Sequence, residues 1–281
     1  MTQAAQRLPL AAPAPSVVEN LYYSSTAGHI SAARYVASSV MQLPFYGIIS
    51  LSADGNPITL TTGGRKYECS ALAFCGRDLE FTAAGTHFVA IIVNPMHENF
   101  RAFTRMKAPS VMPLDRKMFS PFDPLLRKAV DGTLTHEQSV EMFDGVQSLV
   151  RPWLSLVPKM DPRAQALVKD LWADPTCPVD ELANRLGLSY HRTSHLFADA
   201  LGIPIRTYLL WQKLYRASGH LLAGASLTEA AHAAGFGDSA HYSSAFQRAY
   251  GRAPSELFKS RRVSINTSEP IRKARTENPL A

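Results

Sequence analysis

A chain of 281 residues, 46% hydrophobic and 19% charged, has ample material for a buried core and the length for two domains of about 150 residues each. No stretch approaches the roughly 20 consecutive apolar residues of a membrane span. The three cysteines, Cys69, Cys75 and Cys177, are too few for a disulfide scaffold and lack metal-ligand spacing.

The net charge of +6 is compatible with a polyanionic partner but is spread along the chain: residues 160–262 carry 12 Lys+Arg against 9 Asp+Glu. The sparse cysteines fit a reducing cytoplasm, and no membrane partner is expected. Residues 1–19, rich in Ala and Pro, read as a disordered N-terminus. With three prolines and no continuous apolar run, they do not make a signal peptide.

Residues 20–152 read as one unit, a small β-barrel with packed helices. From about Tyr35 to Val93 the texture is β. The run Phe45 to Leu51 is aromatic and β-branched, Asp54-Gly55-Asn56-Pro57 is a turn, and Ile58 to Thr61 alternates. Gly63-Gly64 turns again, and short strands are expected near Ala71–Phe74, Leu79–Thr82 and His87–Val93. After Pro113 the period becomes helical. Thr135 and Gln138 form a capping box, and Val140, Phe143, Val146, Leu149 and Val150 then share one face. That face either packs on the barrel or forms a homodimer contact.

Nothing here predicts an enzyme. His87 and His97 are ten apart, with no His-x-His pair beside a Glu, and there is no nucleophile elbow, phosphate loop or dinucleotide fingerprint. Thr62 to Lys66 has two glycines and two cations but reads as a hairpin turn. No catalytic residue, metal or cofactor is assigned. A barrel of this kind can still hold a small-molecule effector.

Arg151 to Met160, with two prolines, separates the halves. Residues 161–262 then read as an all-α domain. Asp161-Pro162 is a helix start, with Asp as the N-cap and Pro at the first position. The stretch from Val179 to Tyr250 contains one short unit written twice: Leu182 to Phe197, and Glu229 to Phe246. Each copy has an alanine-containing amphipathic run, a glycine followed by an apolar residue (Gly187-Leu188, Gly235-Phe236), a polar cap and a second helix ending in Phe. This is the pattern of a helix-turn-helix, whose second helix enters the DNA major groove.

In the first copy, Leu196, Phe197, Ala200 and Leu201 face the core. His191, Ser194 and His195, at i, i+3 and i+4, share the opposite face and are the base-reading candidates. Tyr190 and Arg192 flank them as phosphate contacts. His191 and His195 have helical metal-pair spacing but no third ligand nearby. A helix over Ile205 to Ala223, about 27 Å at 1.5 Å per residue, links this copy to the second. Ser226 and Glu229 box the next helix. Ala240, His241 and Ser244 then face outward as readers, with Arg248 one turn further on for a phosphate. The tail, residues 263–281, reads as flexible and basic.

Residues Asp161 to Arg262 resemble the DNA-binding domain of the AraC/XylS family of transcription regulators. The likeness is carried by Leu182-Ala183, Gly187-Leu188-Ser189, Leu196-Phe197, Gly202, Pro204 and Tyr208. In the second copy it is carried by Ala230-Ala231, Gly235-Phe236, Asp238, His241-Tyr242, Phe246, Tyr250-Gly251 and Pro254. The resemblance implies seven helices, two helix-turn-helix units on one face of double-stranded DNA, and RNA polymerase as a partner. It also implies a cupin-like N-terminal domain for ligand binding or dimerisation. Where family members often carry arginine, this chain has His195 and Ser244. The first unit is therefore expected to discriminate sequence more than the second.

Overall fold

The computed structural model describes residues 19–33, 36–41, 45–76, 79–83, 85–107, 110–260 and 263–268. The reading of residues 1–18 as disordered, and of 269–281 as a flexible tail, lies outside them.

The N-terminal half begins with β1 (Glu19–Ser25), β2 (Gly28–Ala33), β3 (Val36–Met41), β4 (Gly47–Ser52) and β5 (Ile58–Thr62). These are followed by β6 (Arg65–Cys69), β7 (Ala71–Cys75), β8 (Leu79–Ala83) and β9 (Phe88–Val93). A short helix α1 (Phe100–Phe103) and strand β10 (Val111–Pro113) lead through a 3-10 turn to α2 (Asp123–Asp131) and α3 (His136–Val150). The C-terminal half holds α4 (Pro162–Ala173), α5 (Val179–Arg185), α6 (Tyr190–Leu201) and α7 (Ile205–Leu222). It continues with α8 (Leu227–Ala233), α9 (Ser239–Tyr250), α10 (Pro254–Phe258) and a final strand β11 (Val263–Thr267).

The strands make two sheets, one in the order β10-β7-β4-β9-β2-β1-β11 and one in the order β3-β8-β5-β6. The central strands of the larger sheet are covered on both faces, which is why they read as unbroken apolar runs. On β4, Ile48 turns toward the smaller sheet, where it meets Leu60, Phe74, Phe81 and Phe88. Ile49 and Leu51 turn the other way, onto Met142, Phe143, Val146 and Val150 of α3. Of the apolar stripe of α3, Phe143, Val146 and Val150 are buried in this packing and Val140 and Leu149 are half-buried. The buried part of this face packs on the sheet, as the first of its two readings has it. The Thr135–Gln138 capping box forms as expected.

Two departures have a physical cause. The β texture begins at Glu19 rather than near Tyr35, because β1 hides polar groups that break an apolar alternation. Asn20 is buried and donates to the Val130 carbonyl at 3.0 Å. The second departure corrects the reading of the tail. Val263–Thr267 is not free but pairs in parallel with β1, Glu19 opposite Val263 through Tyr23 opposite Thr267. An unpaired sheet edge accepts any strand brought alongside it, and the chain leaving α10 arrives there.

Candidate nucleic-acid interface

The two copies fold alike down to single hydrogen bonds. In the first, Gly187 takes φ +65 and the Leu188 N–H bonds back to the Ala183 carbonyl at 2.9 Å. In the second, Gly235 takes φ +79 and the Phe236 N–H bonds to the Ala231 carbonyl, also at 2.9 Å. The left-handed glycine ends each leading helix, where a side chain would be strained. The following helix is capped by the polar residue the sequence offers. Ser189 Oγ accepts from the Arg192 N–H, and Asp238 accepts from the His241 N–H at 2.7 Å. Ser226 and Glu229 form their reciprocal box at the start of α8.

Between the copies, α7 presents Tyr208, Trp211 and Tyr215 to a continuous aromatic core with Trp172 of α4. Its polar side chains finish the neighbouring helix. Gln212 donates to the Leu171 carbonyl at 2.9 Å and Arg216 to the Trp172 carbonyl at 2.7 Å, satisfying carbonyls that α4 leaves open. Lys213 donates to the Gly235 carbonyl at 2.8 Å, tying the second turn to the rod.

Among the predicted readers, His191, His195, Ala240, His241 and Ser244 are exposed, as are the flanking Tyr190, Arg192 and Arg248. Tyr190 stacks edge-on against His191, with ring centroids 5.8 Å apart, and His241 does the same against Phe236 at 5.3 Å. These contacts hold two imidazoles at the N-terminal ends of α6 and α9. Ser194 departs from the expectation: its Oγ is buried without a hydrogen-bond partner among the described residues. The residue is half-buried, between exposed His195 and buried Thr193. No group of three or more His, Cys, Asp or Glu residues suited to a metal occurs among the described residues.

The C-terminal ends of both second helices are docked on the N-terminal half, a feature the sequence reading missed. The last carbonyls of α6 are capped from α1 and the turn after it. Arg101 Nε donates to the Ala200 carbonyl at 2.8 Å, Thr104 Oγ1 to the Leu201 carbonyl at 2.9 Å, and Arg105 to the Asp199 carbonyl. Cations at a helix C-terminus also complement its dipole. At the end of α9, Tyr250 bonds hydroxyl to hydroxyl with Tyr46 at 2.9 Å, and Arg252 makes a forked ion pair with Glu19 of β1. The reading ends point to solvent and the other ends are held.

Comparison with known proteins places this geometry. Residues 182–260 match the family described as a helix-turn-helix domain. This stretch is an AraC-type helix-turn-helix domain.

A comparison with curated protein sequences finds no match. Solved structures of ToxT from Vibrio cholerae are similar to this chain in fold. One, with an unsaturated fatty acid bound, is 12% identical with a TM-score of 0.51, covering 81% of this chain and 92% of that one. Another, bound to (E)-4-(8-methylnaphthalen-1-yl)but-3-enoic acid, is 12% identical with a TM-score of 0.53, covering 86% and 98%. A third is 14% identical with a TM-score of 0.51, covering 81% and 94%. No helix among the described residues is long and apolar enough to cross a membrane.

Behind the second dock lies a cavity of about 340 Å³. The inner face of the large sheet forms one wall, with Ile48, Ser50, Phe74 and Phe88. The end of α9 and the turn after it form the other, with Phe246, Tyr250 and Arg252.

Proposed function

We propose that this chain is a transcription regulator that recognises a specific duplex sequence through the exposed N-terminal halves of α6 and α9, and that a small molecule in the cavity governs it. His191 and His195 contribute most of the discrimination in the first unit, and His241, Ser244 and the Ala240 methyl read in the second. Tyr190, Arg192 and Arg248 contact phosphates. Ser194 shapes the helix without presenting its hydroxyl.

The observation that carries this reading is the pairing of the two docks. Each second helix is free at its N-terminal end and fastened to the N-terminal half at its C-terminal end, so a change in the sandwich reaches the reading surface directly. The cavity abuts the α9 fastening. That neighbours of the same fold hold an unsaturated fatty acid and a naphthyl-butenoic acid supports a ligand here.

The test is to select bound fragments from a random duplex library with the full chain, then measure affinity for the best site with and without candidate ligands. Enrichment of one asymmetric site, lost in a His191→Ala/His195→Ala double variant, is expected. Enrichment unchanged by that variant overturns the assignment of the first unit.

A further inference from the structure

The cavity carries a polar pattern that selects its occupant. On its floor, Ser50 of β4 is 1% exposed and its Oγ has no hydrogen-bond partner among the described residues. Buried hydroxyls are almost always paired, and one left unpaired in the wall of a cavity lacks a partner that a ligand can bring. Around it the wall is aromatic, with Phe74, Phe81, Phe88 and Phe246.

The charged groups are already engaged. Among the described residues, Arg252 is the one lysine or arginine lining the cavity, and both arms of its fork are taken by Glu19, with Nη2 at 2.9 Å from Oε1. Ser31 Oγ adds a bond to the same Oε1 at 2.8 Å. Glu256 contributes a second carboxylate to the lining. A ligand carboxylate would have to displace Glu19, whose side chain is 8% exposed, and leave it unpaired beside the new anion. An unpaired buried charge is strongly disfavoured.

We propose that the cavity binds an uncharged, largely apolar molecule whose hydroxyl, carbonyl or ester end bonds to Ser50, and that it rejects the free acid of the same skeleton. This rests on the reading of the cavity as the effector site. The ligand leaves the Glu19–Arg252 pair closed and so fills the space without unfastening α9.

The test uses the full-length protein at pH 8 and two matched pairs: oleic acid against oleyl alcohol, and (E)-4-(8-methylnaphthalen-1-yl)but-3-enoic acid against the corresponding alcohol. Each is titrated calorimetrically below its aggregation limit. Each alcohol that binds is expected to bind at least ten-fold more tightly than its acid. Ser50→Ala, a small change with little effect on folding, should weaken the alcohols about five-fold, the usual worth of one neutral hydrogen bond. Glu19→Gln, which frees the Arg252 fork, should narrow or reverse the gap between alcohol and acid. An acid that binds wild type as well as its alcohol overturns the selection while leaving the cavity as the effector site. Alcohol affinity unchanged in Ser50→Ala overturns the role of that hydroxyl. If none of the four compounds binds, the effector reading of the cavity falls as well.

Discussion

Thr104 and Gly202 lie so close that a methyl group on the glycine would sit 2.3 Å from Thr104 Oγ1. The contact joins the segment after α1 to the residue that ends α6, and the same threonine hydroxyl donates to the Leu201 carbonyl at 2.9 Å. Gly202 also has φ +79, where side chains are strained. Gly202→Ala is therefore expected to destabilise the chain by about 1–3 kcal/mol, and adding Thr104→Ala should recover only the steric part. Thermal denaturation of the single and double variants checks this. A single variant as stable as wild type would show that the dock is loose.

Specificity and affinity should separate by residue. His191→Ala and His195→Ala are each expected to weaken the selected site by about 1–3 kcal/mol, the scale of one base contact, and to leave binding to random duplex nearly unchanged. Arg192→Ala and Arg248→Ala should weaken both, each lowering the slope of log K against log salt by about 0.9. Fluorescence anisotropy over a salt series distinguishes the two classes.

Ser194 offers a sharper check on the placement of α6. Its hydroxyl is buried and unpartnered, so Ser194→Ala removes an unmet polar group. The variant should be at least as stable as wild type and should bind the selected site with unchanged affinity. A clear loss of specific binding in Ser194→Ala would mean that the side chain rotates outward on DNA and belongs with the readers.

Stability should also depend on pH through His97. Burial holds its pKa below the ordinary imidazole value, against the pull of Glu98 and Asp144, while Arg151 pushes it further down. Its neutral Nδ1 accepts from the Asn99 N–H at 3.1 Å. As pH falls, the unfolded chain takes up this proton before the folded one. The stabilisation is thus fully present above the unfolded value of about 6.5 and is lost as pH falls toward the lower folded value. The melting-temperature advantage of wild type over His97→Gln should be constant above neutrality and shrink through the acidic range below it. A gap that stays constant through that range would show that His97 is not held neutral.

What the sequence by itself determined is local. The two helix-turn-helix copies, their left-handed glycines, the Ser189 cap and the Ser226–Glu229 box all depend on groups within about one helical turn of each other, so residue order alone specifies them. The strand run from Phe45 was legible because both faces of β4 are buried, and the run from Leu79 because it alternates buried and exposed positions. Only the tertiary structure decided how the halves are joined. Arg252 meets Glu19 across 233 positions and Tyr250 meets Tyr46 across 204, and no period or spacing encodes such a meeting. The same holds for Ser50: that a serine in an apolar strand faces a cavity follows from which sheet face the end of α9 covers. The pairing of β11 with β1 is equally non-local, since a five-residue polar-alternating segment becomes a strand only when an open edge lies beside it.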